Sequence, residues 1–109
     1  MAYDEALAQR IEKRISHIDG LQSKKMFGGI GFLLYGNMAV GVYKNYMIVR
    51  VGSDNYEELL KEPFAKVFDI TGRPMAGWIL VDALGLENEK ALQFWVEKGV
   101  NFAASLPAK

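Results

Sequence analysis

Leu7, Ile11, Ile15 and Ile18 follow one another at spacings of four, four and three, which lays one apolar stripe along a helix from Asp4 to Ile18. Asp4 is placed to cap its N-terminus and Gly20 to stop it. The period then changes. Gly31 to Tyr35, Met38 to Tyr43 and Tyr46 to Val51 are rich in β-branched, aromatic and methionine residues, and two pairs, Gly36-Asn37 and Lys44-Asn45, separate them. Gly-Asn suits a hairpin turn and Lys-Asn is usable because Asn tolerates positive φ, so the segment predicts a three-stranded antiparallel meander.

Two-residue loops would pair Tyr35 with Met38 and Tyr43 with Tyr46. Because side chains alternate, that pairing decides the face each one enters. One face then holds Leu33, Tyr35, Met38, Val40, Val42, Met47, Val49 and Val51, an almost unbroken apolar surface that belongs under the helices. The other holds Phe32, Leu34, Ala39, Gly41, Tyr43, Tyr46, Ile48 and Arg50, which is more apolar and aromatic than a solvated face requires.

Ser53 and Pro63 bracket a second helix over Asp54 to Glu62. Val67 to Ile70 and Gly77 to Asp82 read as further strands joined by Thr71-Gly72-Arg73-Pro74. Asn88 caps a last helix whose Leu92, Trp95, Val96, Gly99, Phe102, Ala103 and Leu106 share a face, and Pro107 ends it. The order is α-β-β-β-α-β-β-α, an α+β fold with an antiparallel meander and its helices on one face. A chain of 109 residues would be too short to divide and still bury a core in each part, so one domain spans 1–109.

A hydrophobic fraction of 50% and a charged fraction of 24% exclude a disordered chain. Thirteen basic residues balance thirteen acidic ones, so no net field draws the protein to phosphate backbones or acidic membranes. Cysteine is absent, which excludes a disulfide framework, a CxxC redox site and a thiolate zinc site and makes a cytoplasmic location the expectation. The N-terminus lacks the apolar core of a secretory signal, and Gly28 to Tyr43 is too short to span a bilayer as a helix.

Candidate chemistry is sparse. The one histidine, His17, falls near the end of the first helix, where a cation faces the negative end of the dipole, and it has no cysteine or second histidine to work with. Asp69 and Asp82 sit in apolar surroundings but read as strand-end or ion-pairing residues. Phe27-Gly28-Gly29-Ile30-Gly31 superficially resembles a phosphate-cradling loop, yet it runs into a strand and lacks the P-loop Lys-Ser/Thr ending, so it reads as a bend. No catalytic, metal or cofactor-binding residue is assigned. Lys24, Lys25, Arg50 and Arg73 beside Phe32, Tyr43 and Tyr46 suit either the polar rim of a protein interface or a single-strand stacking platform, and the neutral charge favours the former.

The blocks Lys24-Lys25-Met26-Phe27-Gly28-Gly29-Ile30-Gly31-Phe32, Gly36-Asn37-Met38-Ala39, Val49-Arg50-Val51-Gly52 and Thr71-Gly72-Arg73-Pro74-Met75-Ala76-Gly77-Trp78 together resemble the N-terminal domain of the TfoX/Sxy family, from Tyr3 to about Pro107. The resemblance implies a two-layer sandwich similar to the secretion-chaperone-like folds. It also implies a bacterial regulatory association, since full-length TfoX/Sxy proteins act in competence gene activation alongside the cyclic-AMP receptor protein. This chain stops after the first domain, so a competence role is not expected to transfer with the resemblance. The family supplies no catalytic residues to carry over.

The expectation is therefore a non-enzymatic regulatory or adaptor domain in transcriptional control. It would act through protein contacts, a second copy of itself included, made by Phe32, Leu34, Tyr43, Tyr46, Ile48 and Arg50 around small Ala39 and Gly41. Two alternatives stand beside it. One is direct nucleic-acid binding by Lys24, Lys25, Arg50 and Arg73. The other is a small-ligand or enzymatic pocket near Gly28, Gly29, Arg73 and Trp78.

Overall fold

The computed structural model describes residues 3–26, 28–69 and 72–109; Phe27, Ile70 and Thr71, which the sequence singles out, lie outside them. Asp4 caps the first helix as expected, its carboxylate accepting from Leu7 N at 3.0 Å, and α1 (Glu5–Ile15) buries Leu7, Ala8, Ile11 and Ile15. Six strands follow: β1 (Leu21–Met26), β2 (Gly29–Leu34), β3 (Asn37–Tyr43), β4 (Tyr46–Arg50), β5 (Ala65–Val67) and β6 (Trp78–Asp82). They form one antiparallel sheet in the order β1-β2-β3-β4-β6-β5. Between and after them come α2 (Tyr56–Leu59), a 3-10 turn (Ala83–Leu86) and α3 (Glu89–Ala104). Apolar residues of all three helices and of that turn pack with Phe32, Val40, Val42, Met47, Val49, Ile79 and Val81 in one core, so the helices cover one face of the sheet. The α+β class and the placing of the helices on one face stand, but the expected order α-β-β-β-α-β-β-α does not: Leu21–Met26, where no strand was expected, adds a fourth strand to the meander, so four strands precede α2.

Several boundaries differ from the expected ones. β1 carries no alternation because it is an edge strand, exposed from Gln22 to Lys25, and its lysines suit an edge that must not pair with another chain. α2 is shorter than Asp54–Glu62, starts after Asn55 rather than Ser53 without a side-chain cap, and buries only Leu59. β5 ends where Val67 was expected to begin a strand, because its partner β6 accepts Ala65, Lys66 and Val67 opposite Val81, Leu80 and Ile79. Asp82 ends β6 and caps the 3-10 turn by accepting from Leu84 N at 2.9 Å, which seats the fully buried Leu86.

The largest correction concerns β2. Its turn to β3 is Tyr35-Gly36, not Gly36-Asn37, with both φ angles positive at 49° and 86°. That is the I′ geometry whose twist suits a two-residue hairpin. Leu34 pairs with Asn37 and Leu33 with Met38, but Phe32 pairs with Val40, so Ala39 is an extra residue bulged out of the ladder. The bulge reverses the alternation between Met38 and Val40. Val40 and Val42 still face the helices, but Met38 and Leu33 now face away, and Phe32 and Leu34 turn inward at 0% and 4% exposure. Burying those two side chains contributes about 1.5–3 kcal/mol each, which outweighs the ~1–2 kcal/mol of placing Tyr35 in the left-handed region. In the second turn the positive φ, 53°, falls on Lys44 rather than on Asn45.

α3 begins at Asn88, which accepts from Lys90 N at 2.7 Å, and crosses the sheet at the bulge. At Gly99 a Cβ would lie 2.5 Å from the Ala39 carbonyl oxygen and from a Val40 methyl, so only glycine allows this approach. Ala39, Leu34 and Ala103 fill the space beside it. After α3 the chain returns to the β2–β3 turn, where Asn37 Nδ2 donates to the Pro107 carbonyl at 2.8 Å and Lys109 N donates to the Tyr35 carbonyl at 2.9 Å. Asn37 is buried and satisfied there, which is why it heads a strand instead of occupying a turn.

α1 and α3 are also joined at their polar edges. Arg10 and Arg14 each donate to Glu89, at 2.9 and 3.0 Å, and Arg10 also reaches the Leu86 carbonyl at 2.8 Å. The hydrogen bonds from Arg10 and then Arg14 hold the Glu89 carboxyl below its usual range. A lowered folded-state value means that this tie stabilises the protein above the ordinary glutamate value of 4.5 and is lost as the pH falls through the lowered one.

Replacing Gly99 with Ala should destabilise the fold by up to about 2 kcal/mol in urea unfolding, because a Cβ 2.5 Å from a backbone oxygen puts the overpacking cost toward the top of its range of about 1–3 kcal/mol, against ~1 kcal/mol gained in helix propensity. Glu89→Gln should lower Tm at neutral pH and in low salt. The gap to the unsubstituted protein should close as the pH is taken well below 4.5, and an unchanged gap would refute the role given to the carboxylate.

Candidate interaction face of the sheet

Alternation along the six described strands leaves one sheet face that no described helix covers. A single row of cross-strand neighbours runs across it: Lys24 in β1, Gly31, Gly41, Ile48, Leu80, and Lys66 in β5. On one side of this row lie Tyr43, Tyr46 and Asp82, and on the other Arg50 and Trp78. The two glycines make a trough into which Met38 folds from β3 and Met26 from β1. Their terminal methyls would stand 3.3 and 3.0 Å from a Cβ on Gly31, and Met38 would stand 2.7 Å from one on Gly41. Ile48, Phe68 and Leu80 form a small second core here, packed by Met38, Tyr43, Tyr46 and Trp78, with the Phe68 and Trp78 rings 5.9 Å apart. The face is therefore apolar and partly closed by its own side chains.

Cations lie over its aromatic rings. Lys66 Nζ stands 4.3 Å from the centre of the Tyr46 ring and donates to the Tyr46 hydroxyl at 3.2 Å. Lys44 lies over Tyr43 at 5.4 Å. The Arg50 guanidinium is 5.0 Å from the Trp78 ring and 5.4 Å from the Phe102 ring of α3. Each such contact is worth about 0.5–1 kcal/mol at an exposed site and orients the cation. The acidic group that the strands direct to this face, Asp82, is occupied in capping the 3-10 turn. A chain of zero net charge thus holds a local positive excess on this face, while Asp54, Glu57, Glu58 and Glu62 gather around α2.

Of the predicted contact residues, Tyr43, Tyr46, Ile48 and Arg50 are brought together as expected. Phe32 and Leu34 are not; the bulge places both under the helices. Ala39 likewise faces α3, and Gly41 is roofed by Met38 rather than left open. Ile48 is 0% exposed, so it supports the face from beneath. Leu33, Met38, Lys66, Phe68 and Leu80 belong to the face and were missed. Leu33 and Met38 were assigned to the opposite face because the bulge at Ala39 has no local signature, and Lys66 and Leu80 carry a period-two pattern that does not say that β6 lies beside β4.

The predicted basic set is dispersed. Lys24 and Lys25 are consecutive on one strand and enter opposite faces, and Lys24 and Arg50 stand three strands apart, about 14 Å at ~4.8 Å per strand. Arg73 is exposed in the loop after Phe68, where Gly72 N donates to the Asp69 carbonyl at 2.8 Å. The supposed ligand pocket is not assembled either: Gly28 and Gly29 sit at the β1–β2 turn, near Tyr43, whereas Trp78 starts β6 at the opposite end of the sheet. The other motif residues have structural tasks. Gly77 accepts at its carbonyl from Val51 N and Gly52 N at 2.8 and 3.1 Å, and Met75 N, just after Pro74, donates to the Phe68 carbonyl at 3.0 Å. Asp69 and Asp82 flank opposite ends of β6, too far apart to act as a carboxylate pair, and His17 is exposed. Among the described residues no three His, Asp or Glu side chains converge as a metal site would need, and no described helix is long and apolar enough to cross a membrane.

Ile48→Lys should destabilise the protein by more than about 3 kcal/mol, because an unpaired charge would be buried, whereas Ile48→Val should cost only about 0.5–1.5 kcal/mol. Equal melting curves for the two variants would show that Ile48 is not enclosed.

Compared with models of known protein families, the chain matches the TfoX N-terminal domain over residues 13–103. No curated protein and no solved structure gives a significant match.

Proposed function

Because the chain belongs to the TfoX N-terminal domain family, we propose that it works as a non-enzymatic regulatory or adaptor domain in transcriptional control, acting by protein–protein contact through the helix-free face of its sheet. One observation carries the reading. That face combines half-exposed aromatic and methionine side chains with exposed or half-exposed cations, the composition of an interface core with a polar rim. The opposite face is already filled by α1, α2 and α3. The residues weighed for phosphate binding or catalysis are scattered over both faces and both ends of the sheet, which favours a contact surface over a chemical centre.

A photo-crosslinking amino acid placed in living cells at Leu33 or Tyr46, and at Lys13 on the exposed side of α1 as a control, tests this. Adducts with another protein should form from the two sheet positions and not from the helix. Equal yield from Lys13, or none from either sheet position, would refute the contact face.

A further inference from the structure

We propose that the occupant of this face is an acidic amphipathic protein segment that crosses the strands, pairing its carboxylates with Lys24, Arg50 and Lys66 and laying its apolar side chains over the strip between them. The inference rests on the reading of the face as a protein contact and adds the chemistry of the partner.

Charge complementarity is the first argument. The row across the sheet ends in a lysine at each side, Lys24 on one edge strand and Lys66 on the other, with Gly31, Gly41, Ile48 and Leu80 between. Five strand spacings separate the backbones of the two lysines, about 24 Å at ~4.8 Å each, and the Lys66 ammonium leans inward from its strand over Tyr46. An extended segment of about seven residues, or a helix of about 16, covers that distance, so one short element can reach both ends. The trough over the glycines keeps the middle of the path low, its floor lined by methionines that adapt to different apolar side chains.

A second copy of the chain fits this face poorly. In a two-fold face-to-face contact whose axis runs along the strands, Lys24 of one copy meets Lys66 of the other. With the axis across the strands, each lysine meets its own counterpart. Both arrangements oppose like charges, which specific interfaces avoid. A single-stranded nucleic acid fits poorly for another reason. It would stack bases on Tyr43, Tyr46 and Trp78, but Lys44, Lys66 and Arg50 already lie over those rings. A carboxylate can pair with such a cation without removing it from its ring.

The test is fluorescence anisotropy in low salt with a labelled peptide of about eight residues alternating Glu or Asp with Leu or Phe, long enough when extended to span the face. The same peptide with Gln and Asn in place of the acids, and oligothymidine, are the comparison probes. The acidic peptide should bind roughly tenfold more tightly than its amide counterpart and weaken as salt rises. The double variant Lys24→Glu with Lys66→Glu should weaken it by about tenfold or more while melting normally, and Lys13→Glu with Lys98→Glu on the helical layer should not. Equal binding of the amide peptide, equal loss in the helical-layer variant, or tighter binding of oligothymidine would overturn the proposal. So would a dimer in sedimentation that the sheet-face charge reversal dissolves. If crosslinks from Tyr46 persist while the acidic peptide fails, the partner is a protein of other chemistry; if both fail, the protein-contact reading falls with it.

Discussion

The fold depends on how closely α3 can approach β3. At Gly99 the helix backbone meets the carbonyl of Ala39, with no space for even a methyl group between them. Ala39 is itself the extra residue of a β-bulge, and the local twist of a bulge presents its backbone to the helix. Because interiors are packed as densely as organic crystals, this one approach sets the height of α3 above the sheet. The places of Leu92, Trp95 and Val96 over β3 and β4 follow from it.

The same bulge decides what the other side of the sheet becomes. It inverts β2 relative to the first residues of β3, taking Phe32 into the core and sending Leu33 and Met38 to the helix-free face. Met38 then covers two glycines in neighbouring strands and, with the aromatic rings, encloses Ile48. The face is thus a finished, shallow surface built by its own side chains and trimmed with cations held on ring faces. In the proposed contact such a surface would need little reorganisation, which keeps down the ordering cost of association. Charge is divided between the layers although the chain carries none net, since the cations lie over the sheet and acidic residues cluster around α2.

The chain belongs to the TfoX N-terminal domain family by a match over residues 13–103, and several residues of the blocks that carry the resemblance have structural tasks. Gly28 turns β1 into β2, the Gly77 carbonyl ties β6 to the end of β4, and Met75 holds the loop to Phe68. These blocks report how the chain is built, and the helix-free face draws Lys24, Met26, Gly31, Met38, Arg50 and Trp78 from them but Tyr43, Tyr46, Ile48, Lys66, Phe68 and Leu80 from outside, so they led to the fold more directly than to the surface.

Much was legible locally. The caps at Asp4 and Asn88, the stripes of α1 and α3, the Lys44-Asn45 turn and the pairing of Tyr43 with Tyr46 are set by neighbours within a few residues, and the structure shows each of them. What failed depended on partners far along the chain. Whether Tyr35-Gly36 or Gly36-Asn37 forms the turn depends on Asn37 finding the Pro107 carbonyl, seventy residues away. Whether Phe32 faces in or out depends on a bulge stabilised by α3, and whether Lys66 and Leu80 join Ile48 depends on β6 pairing with β4. The sequence alone determined the helices, the strands from β2 onward and the residues that share a side within an unbroken run, because those follow from periodicity and capping; the edge strand β1 and the break at Ala39 have no such signature. Only the tertiary structure decided which sides meet and which remain open, because a one-residue change in pairing reverses a strand at little local cost and is settled by packing across the whole molecule.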